Sequence, residues 1–119
     1  MSKTILIVDD SEGIRSILKM TLEFKGYNIL EAEDGQKAYE ILKESPCDLV
    51  ITDLAMPRMT GLELLVKIRK ELQKIDMPVI VCTAEKGANE EEFLQRGANK
   101  IMTKPVAPFD LLGVIEALI

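Results

Sequence analysis

The chain contains no histidine and no tryptophan. The first absence excludes any nucleophilic, acid–base or metal-ligand role for an imidazole supplied by this chain. Cysteine is scarce as well: Cys47 and Cys82 are the only two, at neither metal nor redox spacing. A disulfide scaffold is therefore excluded, and Cys82, inside an apolar run, reads as a reduced core residue. No apolar run is long enough to span a bilayer. The start Met1-Ser2-Lys3-Thr4 leads straight into a strand-like run without a secretory signal pattern. A cytoplasmic protein with no membrane partner is expected. Positive charge is in deficit: 15 Lys and Arg against 20 Asp and Glu leave a net charge of −5. That balance argues against nucleic-acid binding by this domain alone.

What is present is enough for one domain. The chain has 119 residues, of which 47% are apolar. Those values suit a single folded core spanning residues 1–119 rather than two domains or a disordered chain. No linker, repeat or low-complexity segment interrupts it.

The central stretch is Leu49-Val50-Ile51-Thr52-Asp53-Leu54-Ala55-Met56-Pro57. A short, unbroken apolar run that ends in a carboxylate before a proline reads as a buried strand, with Asp53 at its carboxyl end. The same pattern recurs. Ile5 to Val8 is a strand candidate followed by Asp9 and Asp10, and Ser11 caps the helix behind it. That helix carries Ile14, Ile17, Leu18 and Leu22 at helical spacing, and Gly26 follows its end. Asn28 to Ala32 is a less apolar strand, suited to an edge. Asp34-Gly35 opens a helix bearing Ala38, Ile41 and Leu42, which Pro46 stops.

Thr60-Gly61-Leu62-Glu63 has the form of a capping box, and the helix it starts is expected to bury Leu65, Ile68 and Leu72. Val79 to Cys82 is a fourth strand ending at Thr83. Glu90, Glu91 and Glu92 suit the first turn of a helix that has few apolar positions beyond Phe93 and Leu94. Lys100 to Thr103 is a fifth strand, followed by Lys104-Pro105. Pro108 opens a last helix with Leu111, Leu112 and Ile115 facing the core. Short strands alternating with helices five times predict an α/β fold, a parallel sheet with helices on both faces.

Parallel strands all point one way, so their carboxyl ends share one rim. Asp9, Asp10, Asp53, Thr83 and Lys104 are therefore expected together. Clustered carboxylates need a cation or must take up protons. A hard divalent ion with oxygen ligands is the simple answer, and Mg²⁺ suits a few carboxylates plus water and phosphate oxygens. Together with the Lys104 ammonium and the Thr83 hydroxyl it would cradle a dianionic phosphoryl group. Asp53 is then either an outer ligand or a nucleophile that forms an aspartyl phosphate.

At this point the chain resembles the response-regulator receiver domain of two-component signalling over its whole length. The resemblance rests on Val8-Asp9-Asp10-Ser11, Asp53-Leu54-Ala55-Met56-Pro57 with Gly61, Thr83-Ala84 and Lys104-Pro105. It implies a flavodoxin-like sheet with strand order 2-1-3-4-5. It implies that Asp53 takes a phosphoryl group from a sensor histidine kinase or a histidine phosphotransfer protein. Asp10, Asp53 and the Ala55 carbonyl would ligate Mg²⁺, with Asp9 acting through water. Lys104 would pair with the phosphoryl group or with Asp53, Thr83 would swing toward the phosphoryl oxygen, and the peptide before Pro105 would be cis. Such a domain is a phosphoacceptor switch, not an enzyme with an external substrate. Its readout surface would lie on the fourth helix, fifth strand and last helix, and it would act as a monomer or a phosphorylation-dependent dimer on an effector the sequence does not name.

One position departs from the pattern. Receivers usually carry Phe or Tyr three residues before the lysine as the threonine's switch partner, and here Ile101 stands there. Ala55 and Glu85 occupy positions that tune phosphoryl lifetime in the family, and Val106 replaces a frequent Phe. Other readings fit less well. An aspartate-nucleophile phosphatase of the haloacid dehalogenase type expects a second aspartate where Ala55 stands. A flavodoxin-like FMN binder expects a Ser/Thr/Gly-rich loop where Asp9-Asp10-Ser11-Glu12 stands. A receiver that binds partners without phosphorylation remains the alternative function. The completeness of the last helix favours a stand-alone receiver.

Overall fold

The computed structural model describes residues 2–56, 58–84 and 90–119. Its elements are β1 (Thr4–Val8), α1 (Glu12–Phe24), β2 (Asn28–Ala32), α2 (Gly35–Glu44), β3 (Leu49–Asp53), α3 (Gly61–Lys70), β4 (Val79–Thr83), α4 (Glu90–Gln95), β5 (Lys100–Thr103) and α5 (Pro108–Leu118). The five strands form one sheet in the order β2-β1-β3-β4-β5, and every pairing is parallel. β3 and β4 are buried at all positions, as two-sided cover requires, whereas β2 at the edge is largely half-exposed.

The period of two along each strand decides which helices cover which face. Leu6, Val8, Val50, Val79 and Val81 pack with Ala38 and Leu42 of α2, Leu64, Leu65 and Ile68 of α3, and Phe93 of α4. Ile5, Ile7, Leu49, Ile51, Ile80 and Cys82 pack on the other face with Leu22 of α1 and Leu111, Leu112 and Ile115 of α5.

The helix boundaries have local causes. Ser11 Oγ accepts the Ile14 N–H, Asp34 Oδ1 accepts the Lys37 N–H, and Thr60 with Glu63 completes a reciprocal capping box. One expectation for a helix face is corrected. Leu72 lies beyond α3, because the chain leaves the helix through Gln73 at φ 55° and the Lys74 N–H returns to the Ile68 carbonyl. Leu72 still packs against the core from outside the helix. In α1 only Leu22 is buried, and Ile14 and Ile17 are exposed. No helix among the described residues is long and apolar enough to cross a membrane.

Candidate functional site

Strand parity builds the site. Asp9 follows Ile7, Asp53 follows Ile51, and Lys104 follows Met102, each by two positions on the face that carries α1 and α5. Register brings them level, since β1 pairs with β3, and Asp53 sits opposite Cys82 on β4. The Lys104 Nζ lies 3.0 Å from Asp53 Oδ2 and 3.2 Å from Asp9 Oδ2. Asp9 and Asp53 are buried, while Asp10 stands exposed at the mouth. Carboxylate oxygens of Asp9, Asp10 and Asp53 lie within 4.8 Å of one another. The Lys104–Pro105 peptide is cis.

Other groups hold this arrangement. The Ser11 N–H donates to Asp9 Oδ1 at 2.9 Å, so the residue that caps α1 also aims a site carboxylate. The Arg15 guanidinium donates to the Asp9 carbonyl at 2.6 Å and reaches Glu31. Sequence reading missed Arg15, and a lone arginine on a helix carries no signal that would have found it.

The site is electrostatically strained. Burial raises the Asp53 carboxyl above its ordinary value, and Asp9 adds to the rise, although the bond and charge of Lys104 pull the other way. For Lys104 burial alone would favour the neutral amine, but Asp53 and Asp9 together outweigh it and raise its pKa. One ammonium thus faces two buried carboxylates. Cys82, beside them, has its thiol pushed up to about 12 by burial, so it stays a protonated, inert core group.

Thr83 ends β4 and is buried, on the opposite parity to Cys82 and hence toward α4. Its carbonyl accepts the Lys104 N–H at 2.7 Å, which joins the two strand ends directly. Ile101, level with Val81, is half-buried against the same core cluster as Phe93. Ala55 is exposed in the β3–α3 loop, and Glu85 lies outside the described residues, as does Pro57. Val106 packs against the α1–α5 cluster, in keeping with a packing role. A cleft of about 290 Å³ opens beside Asp53 and Lys104, walled by Ile14 and Ile17 of α1, Pro105, Val106 and Pro108 before and at the start of α5, and Leu111. Ile14 and Ile17 thus line the cleft, whereas Met20 and Phe24, also exposed on α1, are not among its walls.

The three-carboxylate donor set consists of hard oxygens with excess negative charge, and it fits Mg²⁺ better than a softer metal.

The family model described as "Response regulator receiver domain" matches residues 5–116. The phosphate regulon transcriptional regulatory protein PhoB of Pseudomonas aeruginosa is 35% identical over all of this chain and 52% of its own length. The transcriptional regulatory protein SrrA of Staphylococcus aureus is 38% identical over all of this chain and 48% of its own. The chain thus spans about half the length of these curated relatives. Among solved structures, chemotaxis protein CheY4 of Vibrio cholerae superposes with a TM-score of 0.92 at 30% identity, with both chains fully covered. Response regulator TrrA of Thermotoga maritima, solved in complex with Mg²⁺ and BeF, superposes with a TM-score of 0.87 at 33% identity, covering 98% of this chain and 99% of that one.

Proposed function

The chain belongs to the response regulator receiver domain family, and from that premise we propose that residues 1–119 form one phosphorylation-controlled switch with Asp53 as phosphoacceptor. The observation that carries the reading is the Asp53 carboxylate, buried at a strand end and held 3.0 Å from an ammonium, with two further carboxylates beside it. The family points to a phosphohistidine on a sensor histidine kinase or a phosphotransfer protein as donor, and that histidine must come from the partner because this chain has none. An Asp53 oxygen forms the new bond to phosphorus as the phosphorus–nitrogen bond of the donor breaks, and the imidazole leaves.

Asp10, Asp53 and the Ala55 carbonyl would hold Mg²⁺, with Asp9 reaching it through water. The bound ion would neutralise charge on the transferring group. Lys104 turns from Asp53 and Asp9 toward the phosphoryl oxygens. Thr83 supplies a hydroxyl to the same group and moves toward it, so phosphorylation biases a two-state equilibrium. Ile101, packed on the α4 side of the sheet, replaces the usual aromatic partner of that movement. Driving such a switch from 1:99 to 99:1 takes about 5.5 kcal/mol of differential binding. Charge-assisted bonds to the phosphoryl group supply part of it. The readout surface is α4-β5-α5, where Phe109 lies 84% exposed.

The test is intact-protein mass after incubation with a small phosphodonor and Mg²⁺. One added phosphoryl group is expected, absent without Mg²⁺ and absent in Asp53→Asn. No added mass, together with no binding of beryllofluoride, would overturn the phosphoacceptor reading in favour of a partner-binding receiver.

A further inference from the structure

The β3–α3 loop carries Ala55, the backbone ligand in the reading above, and residues that follow Ala55 approach their neighbours closely. Gly61 abuts the Asp53 carbonyl so closely that no Cβ fits there, and the Gly61 N–H donates to the Leu54 carbonyl at 2.8 Å. Farther along the loop, Met59 is buried at 5% exposure although it lies between two elements. It sits against Gly35, the first residue of α2. A Cβ on Gly35 would lie 2.8 Å from both the Met59 Cβ and the Met59 carbonyl oxygen. Backbone is among the atoms that would have to move.

A second tie accompanies the first. Arg58, at φ 69°, points its guanidinium at Asp34 Oδ2, 3.6 Å away, while Asp34 Oδ1 caps α2. A side chain that is 74% exposed makes a weak ion pair, so the burial of Met59 over Gly35 carries most of the tie. Arg58 is one of two non-glycine residues with a left-handed φ among the described residues, and it stands directly before Met59.

We propose that Gly35 and Met59 are positioning residues for metal binding: the contact of Met59 on the start of α2 sets the reach of the β3–α3 loop and so the placement of the Ala55 carbonyl. The inference rests on the phosphoacceptor reading. Neither residue belongs to the carboxylate cluster, so both act as outer partners of a metal site do.

The test is Mg²⁺ titration by calorimetry on the wild type, Gly35→Ala, Met59→Ala, Met59→Leu and the control Leu42→Val. Amide exchange at Leu54 and Gly61 is measured in parallel on metal-free protein. Gly35→Ala and Met59→Ala are expected to weaken Mg²⁺ binding roughly tenfold and to speed exchange at both amides. Met59→Leu, which refills the contact, should stay near the wild type. Leu42→Val, elsewhere on α2, should lower Tm and leave Mg²⁺ affinity unchanged. If Gly35→Ala fails to fold, Met59→Ala against Met59→Leu decides. Unchanged affinity in the folded variants, with a wild type that binds Mg²⁺, overturns the proposal. A wild type that binds no Mg²⁺ overturns the phosphoacceptor reading and the metal role together, and the exchange rates then decide whether the loop is registered by Met59.

Discussion

At the scale of single residues, the site stores unfavourable electrostatics that function can use. Asp53 is raised in pKa by burial first and by Asp9 next, despite its bond to Lys104. A carboxyl whose folded pKa lies above its unfolded value of 3.8 costs nothing below that pH, and its cost grows as pH rises through the folded pKa. Asp53→Asn should therefore stabilise the metal-free protein at pH 7, well above the unfolded value. It should make little difference near pH 3. The gain should be a few degrees in Tm, since about 1 kcal/mol moves a domain of this size by roughly 4 °C. Thermal melts of both proteins in chelator at the two pH values would show it. A lower Tm for Asp53→Asn at pH 7 would mean that the Lys104 pair outweighs desolvation.

At the scale of elements, Arg69 ties α3 to the segments that lead into β4 and β5. From α3 its guanidinium donates to the carbonyls of Lys74 and Met77 at 2.6 Å each, to the carbonyl of Gly97, and to Asn99 Oδ1. Asn99 Oδ1 also accepts the Val79 N–H at the start of β4. No carboxylate lies among these bonded partners, and burial lowers the Arg69 pKa. The side chain therefore works as a multiple donor to backbone oxygens rather than as half of an ion pair. Arg69→Met should cost about 2–4 kcal/mol, because it strands several acceptors at once. Urea unfolding reads this as a lower midpoint at unchanged slope. A loss below about 0.5 kcal/mol would mean that water replaces the guanidinium.

At the scale of the whole molecule, the parallel sheet brings four separate strand ends, those of β1, β3, β4 and β5, to one charged rim. A ligand that binds only the folded state stabilises it by mass action. Mg²⁺ at a hundred times its Kd should add about 2.7 kcal/mol, or roughly 10 °C in Tm, and chelator should reverse the gain. An unchanged Tm at saturating Mg²⁺ would show that the carboxylate cluster is not a metal site.

Much of this was legible beforehand for physical reasons. Strand burial and parity follow from runs such as Val79 to Cys82, whose β-branched residues suit two-sided cover. Caps at Ser11, Asp34 and Thr60 are local and act within three residues, so spacing alone reveals them. Once the strands are parallel, their carboxyl ends must meet, and that placed Asp9, Asp53 and Lys104 together. The sequence by itself thus determined the element order, the two-faced core and the meeting of Asp9, Asp10, Asp53 and Lys104 at one rim. Tertiary structure decided what depends on contacts between distant segments. Ile14 and Ile17 line a cleft instead of the core because α1 meets α5 only in part. Arg69 finds carbonyls that lie up to 28 residues away. Met59 finds Gly35 because α2 and α3 share a face of the sheet. Periodicity records which side of an element is apolar, but the partner each side meets is set by packing across the chain.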